Sequence, residues 1–258
     1  MKWYFLLFLF VVKTAFAEIP LHKQQIENTT PNQMQIDLSA KKLREHKDIE
    51  IQEKFVIPPF HKQAGELETA PQSFCRTCHT PLPHQKALRT RTFNNMHVQF
   101  IACETCHFEN EKLTYQWFDF EKQQLASGEL RIGKKIDNEN QRPTNPKIAP
   151  FLNYERIFLL KNDEFAKQIA ATWKSANESE KAILHTKIHA PLNWQKTEKT
   201  HQGAPCQECH NGTKSKLELL KLGATPEQVQ AIQTHIIPRF LQHYKNDDEK
   251  ITIREMLK

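Results

Sequence analysis

The sequence has no apolar run long enough to cross a membrane as a helix. Its one sustained apolar run is Trp3–Val12, whereas a membrane-spanning helix needs roughly 20 apolar residues. Lys2 precedes this run and an Ala-Phe-Ala sequence ending at Ala17 follows it, which is the layout of an export signal cleaved after Ala17. The run also has no cysteine, which argues against a lipid-modified N-terminus. Lys13 is atypical of a signal, so an uncleaved anchor is the alternative. We therefore expect an exported protein.

Glycine is also scarce, with 6 residues in 258, and only 38% of the residues are hydrophobic, so we expect a modest core. Cysteine is limited to six residues, and none of them lies outside a C-x-x-C pair. Six cysteines in an exported chain first suggest three disulfides, but a bridge between residues three apart closes almost no loop and stabilises little. The spacing therefore predicts another use of the thiols. The pairs are Cys75/Cys78, Cys103/Cys106 and Cys206/Cys209.

A histidine directly follows each cysteine pair. The three pentads read CRTCH at 75–79, CETCH at 103–107 and CQECH at 206–210. C-x-x-C-H is the attachment signature of c-type haem. The two thiols add to the haem vinyl groups as thioethers, and the adjacent imidazole is held under the iron as its proximal ligand. The pentads therefore predict three covalently attached haem c groups, with His79, His107 and His210 as proximal iron ligands.

Two other interpretations of the pentads explain less. Structural zinc usually joins two C-x-x-C pairs about 15–20 residues apart, and the third pair here has no partner at such a distance. A thiol redox motif needs a βαβ context, which this sequence lacks. Neither interpretation accounts for a histidine in the same place three times.

In the three pentads and their flanking histidines, the sequence resembles the multihaem c-type cytochromes of bacterial periplasms. The resemblance implies a periplasmic location, histidine on both faces of each iron, and haems packed closely enough for electrons to hop between them. It also implies little regular secondary structure. Together with the helical patterns, it leads us to expect a mainly α protein of multihaem cytochrome c-like fold, with much irregular structure and one candidate β-hairpin.

Three distal iron ligands must come from the ten histidines outside the pentads. His97 ranks first because it lies six residues before Cys103, where members of this family often carry such a ligand. His84 lies in a segment that two prolines hold extended, which would carry its imidazole towards another haem. The candidates, in order of preference, are His97, His84, His189, His201 and His61.

Alternatives remain at two of these positions. His189 lies on a predicted helix one turn after His185, and the two could form a surface metal site instead. Met96, next to His97, is an alternative thioether ligand, although a core residue packing on a haem edge is the simpler role for it.

The chain divides into five predicted parts. Residues 1–17 are the signal peptide, 18–53 a polar and mobile or surface-lying arm, 54–132 a module with two haems, 133–149 a linker, and 150–258 a helical module with the third haem. The first two pentads begin 28 residues apart and the third begins 103 residues later, so this pattern predicts a coupled pair and a more separate third haem.

Within these parts, the alternating segment 112–120 is predicted to form a hairpin with 128–136. Helices are predicted over 162–176, 177–190, 215–223 and, with a kink at Pro238, 226–245.

These patterns favour an electron carrier in the periplasm over an enzyme. Its partners would be other redox proteins or a membrane-bound oxidoreductase complex, and its own membrane contact would be peripheral unless the leader is retained. Export argues against a nucleic-acid partner. The alternative is a haem enzyme that acts on a small nitrogen or sulfur compound at one open iron, with Arg89 and Arg91 as candidate cationic neighbours.

Overall fold

The computed structural model describes residues 19–47, 73–84, 88–127, 132, 146–192, 203–235 and 238. Within these ranges the protein mixes helix and sheet, so it has more sheet than the single hairpin predicted. The helices are α1 (Leu21–Asn28), α2 (Gln33–Glu45), α3 (Leu88–His97), α4 (Cys103–His107), α5 (Glu164–Ser175), α6 (Glu178–His189), α7 (Cys206–Cys209) and α8 (Pro226–Gln233). The strands are β1 (Thr114–Asp119), β2 (Gln124–Leu125), β3 (Lys147–Leu152) and β4 (Glu155–Arg156). None of the described helices is long and apolar enough to cross a membrane.

The strands form one curled antiparallel sheet in the order β2-β1-β3-β4. The long pairing joins β1 to β3, with Trp117 opposite Ile148. The predicted partner of β1, residues 128–136, lies outside the described residues apart from Ile132. The sequence pattern missed β3 because Pro150 interrupts its apolar run, and proline normally demotes a run to a loop or an edge strand. β3 begins at Lys147, inside residues 133–149, which were predicted to be a linker.

The N-terminal segment, predicted to be a mobile or surface-lying arm with a possible short helix, forms two helices that are anchored on later helices of the chain. α1 and α2 both contact α6. Ser39 of α2 accepts a hydrogen bond from the hydroxyl of Thr186 at 2.7 Å, and both side chains are buried. His22 of α1 is 0% exposed, although the composition around it is polar. A few buried contacts on each short helix therefore outweigh a composition that is typical of solvated chain.

The buried core is built from segments far apart in sequence. One cluster is made mainly of phenylalanines from β1, β3 and the chain on either side of them: Phe108, Phe118, Phe120, Phe151 and Phe158. A second cluster joins Ile101 and Ile148 to Leu217 and Leu222. A third joins Ile26 and Phe74 to Ile188. Each cluster therefore combines residues from both sides of the predicted linker.

The helix predictions in the C-terminal half are partly confirmed. α5 and α6 lie where they were predicted, and α6 begins with a capping box between Asn177 and Glu180. α8 begins at Pro226 with Thr225 as its cap, as predicted, and ends at Gln233. Of the rest of the predicted helix, Pro238 is itself helical, and residues 236–237 and 239–245 lie outside the described residues. The prediction of a helix over 215–223 is wrong, because that segment folds into turns, and three of its leucines, Leu217, Leu219 and Leu222, enter the second core cluster.

Candidate haem-binding histidine pairs

Each pentad forms a single helical turn. The first lies on a 3-10 turn at Phe74–Thr77, the second is α4, and the third is α7 followed by His210. A helical turn brings residues three apart onto one side, so the two thiols of each pair share a face and the histidine follows directly. The His79 N–H donates to the carbonyl of Cys75 at 3.0 Å, and the His210 N–H donates to that of Cys206 at 2.9 Å. None of the six cysteines forms a disulfide.

The structure brings each pentad histidine close to one histidine from another part of the chain. The ring centroids of His79 and His189 are 5.9 Å apart, with planes at 81°. Those of His107 and His84 are 6.3 Å apart at 15°. Those of His210 and His97 are 6.1 Å apart at 84°. The three partners are the first three candidates in the sequence ranking, and no histidine is shared between pairs.

These separations fit two imidazoles on opposite sides of one metal atom. A metal–imidazole bond is about 2.0–2.1 Å long and the ring centroid lies about 1.1 Å behind the bonded nitrogen, so the two centroids would be about 6.3 Å apart. Aromatic rings that simply touch also lie about 4.5–7 Å apart, so the distance alone is weak support.

In three of the paired rings a hydrogen bond occupies Nδ1 and leaves Nε2, the nitrogen that would bind an iron. His97 Nδ1 lies 2.7 Å from the carbonyl oxygen of Phe93, and His189 Nδ1 lies 2.8 Å from that of His185. His210 Nδ1 lies 2.5 Å from the carbonyl oxygen of Ile232. A carbonyl only accepts, so Nδ1 carries the hydrogen in all three rings and the lone pair is on Nε2. Metal-binding histidines are typically fixed in this way.

In four of the paired histidines burial lowers the pKa and so favours the neutral imidazole, which is the form that binds metal. It lowers the pKa of His79, His84 and His97 from the usual 6.5. The pKa of His189 is lowered further, first by burial and then by the neighbouring His185. The rings of these last two lie 4.1 Å apart, and the pKa of His185 falls to about 4.

Burial also raises the pKa of several of the pentad thiols. It is the leading cause that raises the pKa of Cys106 to about 11 and of Cys209 to about 12. Cys75 has a raised pKa too, mainly because it hydrogen-bonds Cys103. Reactive redox cysteines have lowered pKa values, so these thiols are poorly suited to thiol exchange.

The second pentad contacts both of the others. Cys75 Sγ of the first lies 3.2 Å from the carboxylate of Glu104, which is 0% exposed and leaves its Oε2 without a hydrogen bond. On the other side, Ala204, two residues before the third pentad, donates from its N–H to the carbonyl of Cys106 at 2.7 Å. The 103-residue gap in sequence therefore does not separate the second and third pentads in space.

The remaining candidates have different positions. His201 and His61 lie outside the described residues. Met96, the alternative ligand or haem-edge residue, has a side chain that is 44% exposed on α3. Of the two candidate arginines only Arg91 has a described side chain, and it is half-buried on α3.

Sequence reasoning missed Asn95 and Glu104. Asn95 hydrogen-bonds His84, and Glu104 lies inside the second pentad at a position where any residue fits the motif. No pattern in the sequence points to either residue, because both acquire their partners through tertiary contacts.

Among the described residues, no group of three or more histidine, cysteine, aspartate or glutamate side chains is arranged to hold a metal ion. Histidines in pairs are what a haem iron needs, since its porphyrin supplies four nitrogens and the protein supplies the two axial ligands. Comparison with protein-family models, with curated proteins and with solved structures finds no match to this chain.

Proposed function

We propose that this protein is an exported trihaem c-type cytochrome that transfers electrons between redox partners. The observation that carries the proposal is the set of three histidine pairs, each made of one pentad histidine and one histidine from elsewhere, with ring centroids 5.9–6.3 Å apart. In this proposal the six pentad cysteines hold haem c as thioethers. The axial pairs are His79 with His189, His107 with His84, and His210 with His97.

Bound haem would supply one-electron chemistry between ferric and ferrous iron. The chain's own contribution would be two histidine side chains for each iron and partial burial of the sites. An enzyme would need one axial position open for its substrate. Since each of the three pentad histidines has a second histidine at the same separation, we favour the carrier over the haem enzyme. Its partners would then be periplasmic redox proteins or a membrane-bound oxidoreductase complex.

Mass spectrometry and electron paramagnetic resonance test the proposal directly. The exported protein should exceed the mass of its polypeptide by three haems, and acid–acetone should not extract the colour. The oxidised protein should contain low-spin haem throughout, because nitrogen ligands on both faces give a strong ligand field. Bound zinc or extractable haem would refute the proposal, and a high-spin haem in the wild type would favour the enzyme.

Three variants test the proposed pairs one at a time. His84→Ala, His97→Ala and His189→Ala should each convert one haem of three to high spin and allow carbon monoxide to bind when that haem is reduced. His46→Ala is the matched control, since His46 is exposed at the end of α2 and should leave all three haems low-spin. If His97→Ala stays fully low-spin, its assignment is wrong, and Met96→Ala tests whether the thioether is the ligand.

A further inference from the structure

We infer that Asn95 is the positioning residue for His84, an inference that rests on the proposed haem function. Three hydrogen bonds join the two residues. The Oδ1 of Asn95 accepts from the His84 backbone N–H at 3.0 Å and lies 3.0 Å from the His84 Nδ1. Its Nδ2 donates to the His84 carbonyl at 3.1 Å. Asn95 is 8% exposed, so these bonds form in a largely dry environment.

The backbone contacts fix which way the amide points. A backbone N–H can only donate and a backbone carbonyl can only accept, so the oxygen and nitrogen of Asn95 are assigned without ambiguity. Because Oδ1 is an acceptor, His84 Nδ1 must carry the hydrogen. Asn95 therefore sets the tautomer of the ring as well as its direction, and it leaves Nε2 of His84 as the atom available to an iron.

His84 needs such a partner because of where it lies in the chain. His97 and His189 are on helices, and each donates from Nδ1 to the carbonyl four residues earlier in its own helix. His84 lies in irregular chain directly after Pro83 and has no preceding helical turn to offer a carbonyl. The amide of Asn95 takes that place. The ligand of the second site thus depends on a side chain that mutation can remove, whereas those of the other two sites depend on the backbone.

Asn95 also connects the second site (His107 with His84) to the third site (His210 with His97). It stands on α3 two residues before His97, the proposed distal ligand of the third site. One short helix therefore provides the ligand for one iron and orients the ligand of another. Removal of the Asn95 amide should disturb the second site directly and leave the ring of His97 with its own bond to Phe93.

The test compares Asn95→Leu, Asn95→Asp and the control Asn94→Leu in the full-length, haem-loaded protein. Asn95→Leu removes the acceptor, so cyanide should bind the oxidised second haem at concentrations about 10- to 100-fold lower than in wild type. Its reduction potential should rise as His84 is held less firmly. Asn95→Asp keeps an acceptor for Nδ1 and should preserve low-spin haem, with a lower potential because a carboxylate makes the imidazole a stronger donor. Asn94→Leu makes the same change one position away on the same helix. It should change neither the cyanide binding nor the reduction potential of the second haem.

The outcomes separate this inference from the proposed function. Wild-type protein without three covalent low-spin haems would refute the proposed function itself. Wild-type protein with them, but with Asn95→Leu unchanged in cyanide binding and potential, would refute only the role of Asn95. The same holds if Asn94→Leu gives an equal effect. If Asn95→Leu fails to fold, Asn95→Asp still decides, because a raised potential, or an equal shift at all three haems, contradicts the inference.

Discussion

The first and third pentads have different surroundings. The first follows Phe74, whose N–H donates to the carbonyl of Leu159 at 3.2 Å and whose ring lies in a core cluster with Ile26 and Ile188. Its partner His189 ends a helix that packs on the N-terminal segment. The third pentad lies on a four-residue helix without a fully buried residue, and His210 is held by the carbonyl of Ile232 in α8. The first pentad is thus held by distant segments of the chain, whereas the third pentad itself is held mainly by its neighbours in sequence.

Spacing of the pentads along the chain is therefore a poor guide to whether one site can fold independently of the others. The sequence suggests a self-contained module before residue 132 and a more separate third haem. In the structure the first site takes its second histidine from α6, and the third takes its second histidine from α3. Both sites therefore cross the predicted boundary, in opposite directions. Three predictions test this interleaving.

The largest expected effect is on a fragment of residues 18–132. It contains the first two pentads but lacks β3, the main partner of β1, and it lacks His189. We expect it not to fold, because its part of each core cluster would be left exposed. Circular dichroism, protease resistance and haem content measure this, with residues 18–258 as the matched control. A stable fragment that holds two low-spin haems would show that the module is independent after all.

The elements with local signals were predictable. Capping boxes and apolar periodicity locate α6 and the start of α8, and the pentads locate six cysteines and three histidines. The three histidines ranked first as distal candidates each lie beside a pentad histidine, although the ranking did not assign partners. His97 precedes the second pentad but lies beside the histidine of the third. Its assignment depends on the packing of α3, which no local pattern encodes.

The second prediction concerns His22, which shares the dry surroundings of the first site. Burial lowers its pKa to about 4, and its Nδ1 has no hydrogen-bond partner. The folded state therefore binds a proton less readily than the unfolded state does. The contribution of neutral His22 to the free energy of unfolding is therefore complete above pH 6.5. It is lost as the pH falls towards 4, which lowers the free energy of unfolding by about 3 kcal/mol.

His22→Leu should remove this dependence. Urea unfolding at pH 7 and pH 4.5 should show a smaller loss of stability on acidification in the variant than in the wild type, by about 2–3 kcal/mol. Met34→Leu is the control, because Met34 is 75% exposed and has no titratable group. Equal pH dependence in His22→Leu and the wild type would mean that His22 is not buried as the structure places it.

Packing between the second and third pentads gives the smallest expected effect. A Cβ added at Gly203 would lie 3.2 Å from His107 Cε1 and 3.3 Å from its Nδ1, so one of the two must shift by a few tenths of an ångström. We expect Gly203→Ala to lower the free energy of unfolding by about 1 kcal/mol. If haem is bound as proposed, the electron paramagnetic resonance signal of the second haem alone should change. Gly212→Ala is the control, since no atom lies within 4 Å of its added Cβ. It should be neutral or slightly stabilising, by about 0.4–1 kcal/mol. Identical behaviour of the two variants would mean that the segment before the third pentad does not pack against His107, and the second and third sites would then be independent.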